Sequence, residues 1–192
     1  MRQNKALFLD RDGVINVERG YVHRRDDFRF QGGIFDLCRA AETLGYLLMV
    51  VTNQAGIARG YYSESEFLEL TEWMIHEFAE RGIRIARVYY CPYHPIHGIG
   101  EYKYDSPDRK PRPGMILRAR ADFGLDLASS VLVGDKSSDI EAAHAAGIGT
   151  KILLRSGGAD VEMQPAEYHV VDSLDEVLDR FFSPSPGDGK TL

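Results

Sequence analysis

The 192-residue chain has two cysteines, Cys38 and Cys91, and one tryptophan. Two thiols make no disulfide framework, so the sequence reads as that of a protein of a reducing compartment, the cytoplasm. Positive charge is in deficit: 23 Lys and Arg against 29 Asp and Glu leave a net charge of −6. That balance excludes general affinity for nucleic acid or an anionic membrane surface, and an anionic substrate would need a local group of cations or a metal. Long apolar runs are also missing. None approaches the ~20 residues that span a bilayer. After Arg2 and Lys5 the first apolar run is cut off at Asp10, too early for a secretory signal. The rest, 44% hydrophobic and 27% charged, is ordinary for a globular chain. Its length suits a single domain over residues 1–182 with a buried core, and a monomer is the default in the absence of a spare apolar helix face. The stretch from Ser183 to Leu192, rich in Pro, Ser and Gly, reads as a disordered tail.

Four short apolar runs are present: Ala6–Leu9, Leu47–Val51, Val131–Val133 and Ile152–Leu154. They are continuous rather than alternating, as expected of parallel strands covered on both faces. Arg87–Tyr90 and His169–Val171 read as further strands. Between them, helical patterns run over Ile34–Leu44, Glu64–Arg81, Gly114–Phe123 and Ser138–Ala146, with a terminal helix over Ser173–Phe182. The Ser138-Asp139-Ile140-Glu141 spacing is that of a capping box, and Gly147 stands where that helix should stop. Strand–helix alternation of this kind predicts an α/β fold with a doubly wound, mostly parallel sheet, which binds ligands beyond the carboxyl ends of its strands. Two long segments, Gly13–Phe30 and Pro92–Arg112, belong to neither sheet nor helix; loops of such length are usually functional.

Chemistry collects at those strand ends. Asp10-Arg11-Asp12-Gly13-Val14 follows the first run, and strand alternation would turn Asp10 and Asp12 to the same side. Two carboxylates so close suit one nucleophile, one acid/base group and a divalent cation. An acidic turn would read the same in isolation. Thr52-Asn53-Gln54-Ala55 follows the second run and offers a hydroxyl, two amides and backbone N–H groups to phosphoryl oxygens, although it could equally be a polar turn. Arg109-Lys110-Pro111-Arg112 concentrates three cations before a helix. Gly134-Asp135-Lys136 follows the third run and supplies an oxygen ligand for a hard cation, or merely favours a helix N-terminus. Each segment is modest alone. Their common position after successive strands makes a phosphoryl-transfer site the better explanation.

In this order, Asp-x-Asp-Gly-Val, Thr-Asn, Lys-Pro and Gly-Asp-x-x-x-Asp, the chain resembles the haloacid-dehalogenase (HAD) superfamily of phosphohydrolases, over nearly its whole length to about Asp172. Within it, Asp10–Asn16, Gly20-Tyr21-Val22, Thr52–Arg59, Arg109-Lys110-Pro111, Pro113-Gly114-Met115 and Gly134–Lys136 are similar to the D-glycero-D-manno-heptose 1,7-bisphosphate 7-phosphatases. Histidinol-phosphate phosphatases and other small sugar-phosphate phosphatases share much of the pattern. The resemblance implies a HAD-like Rossmannoid fold with short loop insertions instead of a cap domain. It implies Asp10 as nucleophile forming an aspartyl-phosphate, Asp12 as general acid and base, and Thr52 and Lys110 on the phosphoryl oxygens. Mg²⁺ would lie on Asp10, the backbone carbonyl of Asp12 and Asp135. Glu18, Arg19, Gly20, Tyr21, Asn53, Gln54 and Ala55 would line the sugar pocket, with Arg109 and Lys136 recognising the substrate, in the synthesis of nucleotide-activated heptose. Zinc-bearing relatives place Cys-x-His and Cys-x-Cys before Arg-Lys-Pro. Here those positions read Cys91-Pro92-Tyr93 and Ser106-Pro107-Asp108, so a structural zinc is not expected, and hydrogen bonds with tyrosine packing would hold the loop instead. A phosphoacceptor signalling module of receiver type also combines acids, Thr and Lys on such a sheet, but its acids come from two strands rather than one.

Overall fold

The computed structural model describes residues 4–155 and 168–183. Of the expected tail, only Ser183 falls within that range. Six strands form one sheet: β1 (Lys5–Leu9), β2 (Tyr46–Asn53), β3 (Ile85–Cys91), β4 (Val131–Gly134), β5 (Thr150–Leu154) and β6 (His169–Val171), in the order β3-β2-β1-β4-β5-β6. Every pairing is parallel, with Leu7 opposite Leu48 on one side and Val131 on the other. This is the doubly wound α/β sheet that the run pattern predicts.

A single turn, α2 (Ala55–Ala58), follows β2 directly. The continuity of the apolar runs has a direct cause. Leu7 and Leu9 of β1 enter one core, with Leu37 and Cys38 of α1 (Ile34–Thr43), Leu70, Met74 and Phe78 of α3 (Glu64–Ala79) and Leu174 and Val177 of α6 (Leu174–Val177). Ala6 and Phe8 enter the other, with Met115, Ile116 and Ala119 of α4 (Gly114–Phe123) and Ala142 and Ala143 of α5 (Ser137–Ala146). Both faces of the strand are thus removed from water, each fully buried Leu, Ile, Val, Phe or Met side chain contributing on the order of 1.5–3 kcal/mol. The helix ends follow local rules. α3 carries the Ser63/Glu66 capping box, and α5 stops at Gly147 in the left-handed region, φ 82°. The expected box at Ser138–Glu141 is corrected: α5 begins at Ser137, and the Asp139 carboxylate takes the N–H groups of Asp135 and Lys136. The terminal helix is α only to Val177 and continues as a π turn over Leu178–Phe182.

The order in which strands are added reverses at β1, with β2 and β3 laid on one side and β4, β5 and β6 on the other. That switch point opens a crevice beyond the carboxyl ends of β1, β2 and β4. Two long connections rim it. Residues 10–33 join β1 to α1 through bridges pairing Asn16 with Asp12 and with Phe30. Residues 92–113 join β3 to α4 through a 3₁₀ turn at Gly100–Tyr102. Neither amounts to a cap domain. Among the described residues no helix is long and apolar enough to cross a membrane.

Candidate active site

A cavity of about 720 Å³ occupies the crevice, and Asp10, Asp12, Glu18, Gly20, Tyr21, Asn53, Gln54, Ala55, Arg109, Lys110 and Lys136 all line it. Sequence positions up to 126 apart (10 to 136) thereby converge. Three expected residues lie elsewhere. Thr52 and Asp135 are buried in the floor, at 1% and 2% exposure, and Arg19 is exposed and not among the lining residues.

The floor is a buried charge cluster. Asp10 caps the end of β1, and its Oδ1 lies 3.0 Å from Lys110 Nζ. The same ammonium lies 2.5 Å from Asp139 Oδ1 and donates to the Val51 carbonyl at 2.8 Å. Lys110 is carried on the β3–α4 connection, and Asn53 at the end of β2 pins its backbone with two hydrogen bonds, each 3.0 Å. Asn53 therefore positions the lysine besides lining the cavity. One oxygen each from Asp10, Asp135 and Asp139 lie within 4.8 Å of one another, the only such group of metal-capable side chains among the described residues. Gly13, at φ +93°, lets Asp135 pack against the motif: a Cβ there would collide with the Asp135 carboxylate.

Burial governs the electrostatics. It raises Asp10 from its ordinary value to about 6 despite the opposing charge of Lys110. Asp135 rises to about 7, through burial first and then the neighbouring Asp10. Burial works against the Lys110 ammonium, yet Asp10 and Asp139 outweigh it and its pKa is raised. Lys110 thus serves Asp10 and Asp139, while Lys136 at the rim lies 3.9 Å from Asp135. The donor set, all hard oxygen and gathered within 4.8 Å, fits a divalent cation such as Mg²⁺, with Asp10 and Asp135 as carboxylate ligands.

Asp12 differs from the strand-based expectation. β1 ends at Leu9, and Arg11–Asn16 form a turn in which Ile15 and Asn16 both donate to the Arg11 carbonyl. Alternation does not extend through a turn. The Asp12 carboxylate reaches the cavity, but it accepts from Arg11 Nη2 at 2.7 Å, Asn16 Nδ2 at 3.1 Å and Gln54 Nε2 at 3.1 Å. It stands outside the Asp10, Asp135 and Asp139 group. Gln54 also donates to the Thr52 hydroxyl at 2.9 Å and accepts from Tyr62 at 2.6 Å. Arg11, 1% exposed, passes over the Phe67 ring.

Sequence reasoning therefore missed the part played by Arg11, Asn16, Tyr62 and Asp139. Asp139 had a signal in its spacing from Asp135; Tyr62 had none. At the rim, Lys136 Nζ meets Glu18 Oε2 at 3.3 Å and Arg109 Nη1 donates to the Tyr93 carbonyl at 3.3 Å. In the adjoining loop, His94 Nδ1 accepts from the N–H groups of Ile96 and His97, and Cys91 packs beside the Tyr93 carbonyl. These side chains do not converge on a common point with Asp108.

Comparison with known proteins follows the same lines. The family model described as HAD-hydrolase-like matches residues 108–177. The chain is 53% identical over 174 residues to the D-glycero-beta-D-manno-heptose-1,7-bisphosphate 7-phosphatase of Vibrio cholerae, covering 91% of this chain and 92% of that one. It is 53% identical over 187 residues to the D-glycero-alpha-D-manno-heptose-1,7-bisphosphate 7-phosphatase of Burkholderia mallei, covering 97% and 98%. Among solved structures, the D,D-heptose 1,7-bisphosphate phosphatase of B. bronchiseptica, complexed with magnesium and phosphate, superposes with TM-score 0.77 at 26% identity over 91% of this chain and 96% of that chain. A HAD-like phosphatase from Mesorhizobium loti gives TM-score 0.78 at 33% identity over 92% and 85%.

Proposed function

This chain belongs to the D-glycero-D-manno-heptose-1,7-bisphosphate 7-phosphatase family of HAD-type phosphoric monoester hydrolases, and from that premise we propose that it removes the C7 phosphate of D-glycero-D-manno-heptose 1,7-bisphosphate with Mg²⁺ as cofactor. The observation that carries this reading is the Asp10–Lys110–Asp139 cluster beside Asp135, set at the floor of a cavity whose mouth holds Arg109 and Lys136. A floor built for one phosphoryl group and a cationic mouth for a second anion suit a sugar carrying a phosphate at each end.

In this mechanism an Asp10 oxygen attacks phosphorus, the bond to the C7 oxygen breaks, and an aspartyl-phosphate forms. Asp12 delivers a proton to the departing sugar oxygen. It then takes one from the water that attacks the same phosphorus, releasing phosphate and restoring Asp10. Acid–base catalysis of this kind contributes about 10²–10⁴-fold. Lys110 and the Thr52 hydroxyl hold phosphoryl oxygens whose charge peaks in the transition state. Asp10, Asp135 and the Asp12 carbonyl would hold Mg²⁺, which supplies charge neutralisation between nucleophile and phosphate. Glu18, Gly20, Tyr21, Gln54 and Ala55 enclose the sugar, and Arg19 stands outside that wall. Two buried free thiols suit the cytoplasm, and the enzyme acts as a monomer on a small molecule within heptose biosynthesis.

The test is phosphate release from both heptose bisphosphate anomers, histidinol phosphate and fructose 1,6-bisphosphate in one kinetic panel. One heptose bisphosphate should exceed the other two compounds in kcat/KM by about 10²-fold or more. Equal turnover of all four would defeat the substrate assignment, and a stable acyl phosphate without turnover would instead mark a receiver.

A second expectation concerns the cation. Asp10 and Asp135 titrate near 6 and 7 in the fold against 3.8 in the open chain. Between those limits the folded protein binds more protons than the unfolded one, so stability falls as pH rises through about 4 to 7. Mg²⁺ competes with those protons. The rise in Tm on replacing EDTA by Mg²⁺ should therefore be larger at pH 8 than at pH 5; equal shifts at both would remove these two acids from the binding set.

A further inference from the structure

The Pro92–Arg112 connection lacks the ligand set that clamps it in zinc-bearing relatives, yet it is tied down by another device. Glu64, the first residue of α3, accepts from Tyr90 Oη at 2.6 Å and from Tyr102 Oη at 3.1 Å. Tyr90 lies on β3 opposite Thr52 in register, so one end of the device is fixed to the sheet beside the catalytic edge. Tyr102 belongs to the loop, in its 3₁₀ turn. Its carbonyl accepts from the His94 N–H at 3.1 Å, and its ring packs on Tyr93 with centroids 6.0 Å apart. Tyr93 in turn presents its carbonyl to Arg109 Nη1 at 3.3 Å and its ring to Tyr104. The loop is tied again where Ile99 N–H donates to the Ala58 carbonyl at 2.9 Å, and at Gly98, where a Cβ would strike the backbone of His94, Tyr102 and Lys103.

We propose that Glu64 is a positioning residue: by accepting hydrogen bonds from Tyr90 and Tyr102 it fixes the loop and, through Tyr93, holds the Arg109 guanidinium at the cavity mouth, so that discrimination for a substrate with a second phosphate is set without a loop metal. The proposal rests on the functional reading above, in which Arg109 meets the phosphate that is not removed. The physical reason is preorganisation. A rotamer-rich guanidinium aimed before binding loses less freedom on meeting its anion than one ordered by it. Glu64 itself touches neither the cavity nor the reacting atoms, since it is absent from the cavity wall. Its loss should therefore weaken binding of one substrate class and leave the chemical step alone.

The experiment compares heptose 1,7-bisphosphate with heptose 7-phosphate, which lacks the distal anion. Glu64→Ala should raise KM for the bisphosphate about tenfold with kcat nearly unchanged, Tyr102→Phe about threefold, and neither should move KM for the monophosphate. Glu64→Gln, which keeps an acceptor oxygen, should recover most of the loss. Combined with Arg109→Ala, Glu64→Ala should add nothing further, because both act through the same guanidinium. Elemental analysis of the purified wild type should find no stoichiometric zinc. A fall in kcat on both substrates alike, a wild-type KM in Tyr102→Phe and Glu64→Ala, or bound zinc at one per chain would each overturn the proposal. A wild type inert on the bisphosphate would instead overturn the functional reading beneath it.

Discussion

Asp10→Asn is expected to lower turnover by about 10⁴-fold or more while leaving the fold in place. The amide is close to the carboxylate in size but cannot form an acyl phosphate at a useful rate. The structural half of the prediction has its own reason. Asp10 is buried, and burial already pushes its pKa to about 6, so its ionised form is held at a cost. Asparagine removes that charge and leaves Lys110 free to serve Asp139 alone. The variant should thus unfold at the wild-type temperature or slightly above it when no divalent cation is present. Phosphate release with single-turnover sensitivity, beside thermal unfolding in EDTA, checks both halves. Substantial residual turnover would require another nucleophile; loss of the fold would mean that the carboxylate is needed structurally.

Lys110→Met should have the opposite balance, a severe effect on both stability and rate. The side chain is 3% exposed and is the cation bonded to Asp10 and Asp139. Methionine keeps the aliphatic length but leaves buried carboxylates uncompensated, and breaking a buried pair in this way typically costs about 3–5 kcal/mol. The loss should depend on pH with a definite sign. At acid pH the orphaned carboxylates take up protons and much of the stability returns, whereas at pH 8 they must stay charged or be protonated at full cost. Mg²⁺ should recover part of the difference. Denaturant unfolding of wild type and variant at pH 5 and pH 8 measures this; a variant as stable as wild type at pH 8 would show that the ammonium contributes nothing net to the cluster. Turnover should fall as well, since a donor to the phosphoryl oxygens is removed.

Much of the fold was legible in the sequence because its parts rest on local rules. The run Ala6–Leu9 is apolar at every position because both faces of β1 are covered, and that reads without knowing what covers them. The positions of Asp10, Thr52 and Asp135 just after such runs were legible for the same reason, and so was the stop at Gly147. β3 was harder to delimit: its Ile85–Cys91 stretch leaves Arg87 exposed and Ala86, Val88 and Tyr90 only partly buried at the sheet edge, so its pattern is weaker.

What the chain by itself determined, then, is the parallel doubly wound sheet and the set of acidic, hydroxyl and basic groups at its carboxyl edge, since burial pattern and residue type are properties of short segments. Which of those groups touch was settled only in three dimensions. Lys110 meets Asp139 rather than Asp10 alone, Asp12 turns to Arg11, Asn16 and Gln54 after β1 has ended, and Glu64 joins the loop to β3 through two tyrosines. Such pairings depend on where distant segments come to lie, and the Coulomb and hydrogen-bond terms that select among them fall off within a few ångströms, a distance that sequence spacing does not encode.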